Sequence, residues 1–171
     1  MRKVWILSII VVTAVLFAGI LGYVSYRVLS EPQTAANSSK DIPLNANKIL
    51  ELVNAERAKV GVAALVSDPR LVASAQAKAD DMVANNYFAH YNPANNEFAG
   101  NDYVMNPGLC VYASENIVWM KYPNMLEDNQ ESVDWWMNSP AHKEAMLSPK
   151  YSLTGIGIKD KRVVQHFCQV K

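Results

Sequence analysis

Three side chains in this sequence suit acid–base or metal chemistry if the fold brings them together. They are His90 in Asn86-Tyr87-Phe88-Ala89-His90, Glu115 in Ser114-Glu115-Asn116-Ile117, and His142 at the end of Trp135-Trp136-Met137-Asn138-Ser139-Pro140-Ala141-His142. Two imidazoles and a carboxylate with room for water satisfy a divalent metal such as zinc, with His90 and His142 as its ligands. Without a metal, the same groups offer a general base. They equally suit a buried polar network in which Glu115 accepts backbone N–H groups, a carbonyl satisfies His90 and Ser139 caps a helix. The motifs H-E-x-x-H, G-x-S-x-G and the Walker loop are absent from the sequence, so no common hydrolase or nucleotide signature accounts for these residues.

The three lie far apart in the chain, and their meeting depends on the elements that carry them. Val133, Trp136 and Met137 recur at helical spacing, and Ser139-Pro140 reads as a helix restart. The Ser139 hydroxyl is placed to accept from a backbone N–H near His142, which puts His142 on the first turn of the new helix. Upstream, Ile49, Leu52, Val53 and Val60 mark a helix capped by Asn45 or Asn47 and closed by Gly61. Ser67-Asp68-Pro69 starts a second helix, whose stripe of Leu71, Val72, Ala75, Ala79, Met82 and Val83 runs to about Asn85. Tyr87 to Tyr91 reads as an extended segment or tight turn, and Asn92 to Gly108 as a loop at the rim of a cleft. Val111 to Met120 holds a strand, and Leu153 to Ile158 with Arg162 to Val170 forms an antiparallel hairpin across Lys159-Asp160-Lys161. Helices first, strands late and no βαβ alternation give an α+β class.

In order, the Leu52-Val53-Asn54-Ala55-Glu56-Arg57 helix, Tyr87-Phe88-Ala89-His90, Glu115-Asn116-Ile117, Trp136-Met137-Asn138-Ser139-Pro140-Ala141-His142 and a terminal Gln165-His166-Phe167 resemble the CAP superfamily of cysteine-rich secretory, antigen (allergen-like) and pathogenesis-related proteins, in its bacterial SCP-domain form. The resemblance implies an α-β-α sandwich with a central antiparallel sheet and a central cleft of histidines and glutamates. In some members two of those histidines hold a divalent metal. His90 matches the family's first histidine and Glu115 the glutamate of its G-E-N motif, with Ser114 in place of glycine. Ser139 stands where the second family glutamate would be, and anchoring on Gln165 puts Arg162 where the second histidine would be. The implied cleft is therefore His90, Glu115, Ser139, His142 and Gln165, with His142 standing in for the missing histidine. His166 neighbours Gln165 on a strand, where alternation sends it to the opposite face, and is left outside.

The chain carries 16 basic and 16 acidic residues, so no net field draws it to nucleic acid. Arg2-Lys3 precede an apolar run from Val4 to Val24, long enough for a bilayer core and too long for a cleavable signal region. The basic pair puts the N-terminus inside. The nearest small-residue site, Thr34-Ala35-Ala36, lies well beyond the run; cleavage there would release the protein as secreted. The expected organisation is a transmembrane signal anchor at 1–29, a flexible linker at 30–44 and an extracellular domain at 45–171. Outside the membrane, Cys110 and Cys168 are free to form a disulfide, the alternative being two buried thiols. The function that follows is a membrane-tethered binding module for an envelope, lipid or protein ligand. The alternative is a metal-dependent extracellular hydrolase with Glu115 as base.

Overall fold

A computed structural model of the protein describes residues 43–100, 109–121 and 128–170. The expected signal anchor and nearly all of the expected linker lie outside these residues, and no described helix is long and apolar enough to cross a membrane.

Helix α1 spans Ala46–Lys59, and Asn45 is its cap, its side chain accepting from Lys48 N. Gly61 follows the helix with φ of +72°, a conformation glycine adopts without a Cβ penalty. Strand β1 is Val66–Ser67, and α2 is Pro69–Ala84, capped by Asp68 onto Arg70 N with proline in its first turn. Strand β2 runs Tyr112–Trp119, and α3 is Asn129–Met137, capped by Asp128 onto Glu131 N. Helix α4 is Pro140–Leu147. Strands β3, Leu153–Lys159, and β4, Arg162–Gln169, close the chain as a hairpin. Asp160 and Lys161 both have positive φ, 43° and 62°, as a two-residue type I′ turn requires.

Two expectations need correction. Ser139 makes no side-chain cap bond, and the start of α4 rests on the backbone bond from Lys143 N to Ser139 O, 2.9 Å. The sheet is also not wholly antiparallel. Its order is β1-β3-β4-β2, and β1 pairs with β3 in parallel. Two residues are too short to show any periodicity, and Val66 N and Asp68 N donate to Ser152 O and Thr154 O, 2.9 Å each.

Alternation sorts the sheet into two faces. On one, Val118, Ile156, Val163 and Phe167 join Ile49, Val53, Val133, Trp136 and Met146 of α1, α3 and α4 in the main core. On the other, Ile117 and Val164 meet Ala75, Ala79 and Met82 of α2. Here α2 lies almost on the strand: a Cβ at Gly155 would come 2.1 Å from the Leu71 backbone, and one at Gly157 2.3 Å from that of Ala75. The Gly155-Ile156-Gly157 alternation thus gives isoleucine to one layer and bare backbone to the other.

Buried Arg57 locks the first layer. Its guanidinium donates to Ala63 O, Met146 O, Ser148 O and Tyr151 O at 2.8 to 3.1 Å, and two of these carbonyls lie at the C-terminal end of α4, where the helix dipole favours a cation. The expected disulfide is present between Cys110 and Cys168, closing a separation of 58 residues. It ties the approach to β2 onto the end of β4.

Candidate functional site

Glu115 sits at the centre of a hydrogen-bonded chain on the α2 face of the sheet. Its carboxylate is only 4% exposed and faces two imidazoles: His90 Nδ1 at 2.6 Å from Oε1 and His166 Nε2 at 2.9 Å from Oε2. His166 Nδ1 lies 2.8 Å from Ser74 Oγ, and Ser74 donates its one hydroxyl hydrogen to Gly100 O, also 2.8 Å away. With that hydrogen used, His166 Nδ1 must itself donate to Ser74. The other ring nitrogen, Nε2, faces the Glu115 carboxylate, so both nitrogens of this ring are engaged. The Phe98 ring covers it with centroids 5.4 Å apart.

Burial pushes the Glu115 pKa up, but the hydrogen bonds from His166 and His90 and the charges of His166 and Lys78 outweigh it, leaving the carboxyl below its ordinary value. The same contact orients His90: Nδ1 faces Glu115, and Nε2 lies on a side chain 49% exposed. Lys78, buried in α2, fixes the loop that carries His90 by donating to His90 O at 2.6 Å and to Tyr87 Oη at 3.0 Å. Tyr87 in turn donates to Asp81. Burial, then the Asp81 hydrogen bond, raises the Tyr87 pKa and keeps the phenol protonated.

Of the expected site residues, His90 and Glu115 meet. His142 stands apart from that chain. It lines a neighbouring groove of about 430 Å³ with Phe88, Ile117, Val118, Trp119 and Trp135, and Lys121 at one end. Burial first, and the nearby His90 second, lower its pKa and keep the ring neutral. Its backbone oxygen accepts from Asn116 Nδ2 at 3.0 Å. Gln165 points away from Glu115, into the opposite layer, and donates to Thr154 Oγ1 at 3.1 Å. Arg162 stands in for no histidine: its guanidinium carbon lies 4.0 Å from the Trp119 ring centroid.

The exclusion of His166 is thus corrected. Strand alternation does separate it from Gln165, but the face holding Glu115 is the face of His166. The two are direct cross-strand partners. The sequence held only a partial signal for this: a Cys110–Cys168 bond brings the approach to β2 beside β4, but Cys168 pairs with Ala113, three residues past Cys110, so the bond alone does not give the Glu115–His166 register. Ser74, Lys78 and Phe98 had no comparable signal, because their roles arise only when α2 and the rim loop close over the sheet.

This donor set does not fit a catalytic zinc. Both Glu115 oxygens pair with imidazole nitrogens and both His166 nitrogens are engaged, one by Glu115 and one by Ser74, so His90 Nε2 and His142 remain where a zinc centre uses three protein ligands and a water. No group of three or more His, Cys, Asp or Glu among the described residues is placed to hold a metal ion.

Residues 50–170 match the family described as CAP, the cysteine-rich secretory protein family. The chain belongs to the CAP family. It is 34% identical over 128 residues to the uncharacterized protein YkwD of Bacillus subtilis (strain 168), across 72% of this chain and 46% of that protein. It is 30% identical over 143 residues to the uncharacterized membrane protein YlbC of the same organism, across 81% of this chain and 39% of that one. This CAP chain therefore spans less than half the length of these curated relatives. Among solved structures, it is similar to an extracellular protein containing an SCP domain from Bacillus anthracis str. Ames, with a TM-score of 0.63 and 26% identity over 72% of this chain and 40% of that one.

Proposed function

We propose that this CAP protein is a membrane-tethered extracellular binding module whose ligand enters the cleft between His90 and His142. One observation carries the reading: the Glu115 carboxylate is paired at both oxygens with imidazoles, while the accessible surface beside it is aromatic. Phe88 and Trp135 are 40% and 49% exposed, unusual for rings of their size, and exposed apolar surface gathered in a groove marks a binding site. The extracellular setting is supported by the disulfide, by the B. anthracis neighbour described as extracellular, by YlbC being named a membrane protein and by the apolar run from Val4 to Val24.

A hydrolase is the second reading, and geometry changes its form. In that reading the base is His90 Nε2, with Glu115 as an orienting carboxylate; Glu115 as base would first have to lose both imidazoles. Incubating the full chain with a fluorescently labelled envelope fraction of its host separates the two. Binding predicts that wild type and His90→Gln both retain label and that the Phe88→Ala/Trp135→Ala pair does not. Release of cleaved fragments, abolished by His90→Gln, establishes the hydrolase instead. Intact mass of the membrane-extracted protein tests the tether; a mature chain beginning near Asn37 defeats it.

A further inference from the structure

Among the described residues, strand β2 ends the sheet, with β4 on one side and no strand on the other. The antiparallel register decides which of its backbone groups face outward. Met120 N donates to Lys161 O, one step beyond the Trp119–Arg162 pair, so Val118, Asn116 and Ser114 also turn their N–H and C=O groups toward β4. The two-residue turn at Asp160 and Lys161 gives the same parity from the far side of β4. Ala113, Glu115 and Ile117 therefore direct their N–H and C=O groups outward, and among the described residues no backbone hydrogen bond meets them.

The aromatic groove lies on this edge. Its floor is Ile117, Val118 and Trp119, consecutive residues of β2. One wall is Phe88, which follows α2; the other is Trp135 of α3 with His142 of α4. The two helical layers thus flank the edge without pairing with it. Among the described residues, the titratable side chains of the lining are Lys121 and His142.

We infer that this edge takes an extended peptide by strand addition, its backbone pairing with Ile117 and Glu115 and its alternate side chains falling against Phe88 on one side and Trp135 on the other. This rests on the cleft being a binding site, as proposed above, and names the class of its ligand. The outward groups of β2 recur every second residue, about 6.8 Å apart, the spacing at which a peptide strand presents its own donors and acceptors. An acyl chain or a sterol ring presents none and would leave those groups unpaired as it excluded water. The alternation of a strand also matches the two walls, which a one-sided ligand would not use. The projecting rings of Phe88 and Trp135 admit one strand and exclude the edge of a second sheet, a guard that exposed edges need.

The test uses the full chain in dodecyl maltoside micelles, panned against a displayed random dodecapeptide library. Synthetic forms of the selected peptides then carry a single N-methyl group at each position in turn. Strand addition predicts a period of two: methylation at alternate residues weakens binding at least tenfold, and the residues between tolerate it. Amide exchange at Ile117 slows when peptide is bound, and Phe88→Ala and Trp135→Ala each weaken binding. Pyrene-labelled phosphatidylglycerol added to the same micelles is the second probe. If no peptide is selected, or the methyl scan shows no period of two, strand addition is overturned. If the lipid alone binds and both substitutions weaken it, the binding reading survives that failure. If neither probe responds to Phe88→Ala or Trp135→Ala, the binding reading falls as well.

Discussion

The two faces of the sheet solve opposite problems. The face under α1, α3 and α4 is filled by large apolar side chains around fully buried Trp136 and Phe167, and its one buried charge, Arg57, is satisfied entirely by carbonyls. The face under α2 has little apolar volume. Gly155 and Gly157 let one helix rest on backbone, and the remaining space holds the chain Ser74, His166, Glu115 and His90. Among the described residues a single helix covers that face, and of its polar groups Ser74 and His166 are buried while His90 is exposed. One face holds the fold together, then, and the other holds the site in place; substitutions on the two should separate stability from site geometry.

The largest separation should come from Trp136→Ala. Emptying the space of a fully buried indole costs about 3–5 kcal/mol, and urea unfolding should show the loss. What remains folded should keep the His90–Glu115 pairing, visible as unchanged imidazole proton shifts. Loss of those shifts in the folded fraction would mean that the faces are not independent. The disulfide crosses the comparison, since Cys168 lies on the α2 face while its loop spans both layers. Closing 58 residues is worth about 4 kcal/mol in the chain-entropy model. Cys110→Ser with Cys168→Ser should lower the unfolding free energy by close to that amount; a loss below about 1 kcal/mol would show that β2 and β4 hold their register without it.

Within the α2 face, Glu115→Gln should cost less, about 1–3 kcal/mol, because the amide can accept from one imidazole but must turn its NH2 toward the other. Binding at the groove should weaken less than twofold if the network only positions its neighbours. A tenfold loss would place the carboxylate in contact with ligand.

How much of this could be read from the chain follows the same division. Helices α1 to α4 and the hairpin were legible because caps, prolines and apolar stripes are local signals, and the meeting of His90 with Glu115 was legible through motif order. Strand β1 was not, since two residues carry no period. The place of His166 was missed because the face of a strand residue depends on register with a strand some fifty residues away, and alternation alone gives two faces without saying which holds the site. The direction of His142 depended on how α4 docks on β2, which no spacing within its own helix encodes.

The smallest effect, and the sharpest on the network itself, is in pH. The folded pKa of Glu115 lies below its ordinary value, so folding prefers the carboxylate. Its contribution to stability is complete above the unfolded glutamate value of about 4.3 and is lost as pH falls through the folded value. Glu115→Gln cannot titrate and forfeits that contribution at every pH. The gap in melting temperature between wild type and Glu115→Gln should therefore hold steady above about pH 5 and shrink as pH drops below about 4. The Trp136→Ala gap, which rests on apolar volume, should show no such closing. If both gaps respond to acid alike, the distinction drawn between the faces fails. If neither does, Glu115 is not held as the carboxylate that the two imidazole hydrogen bonds imply.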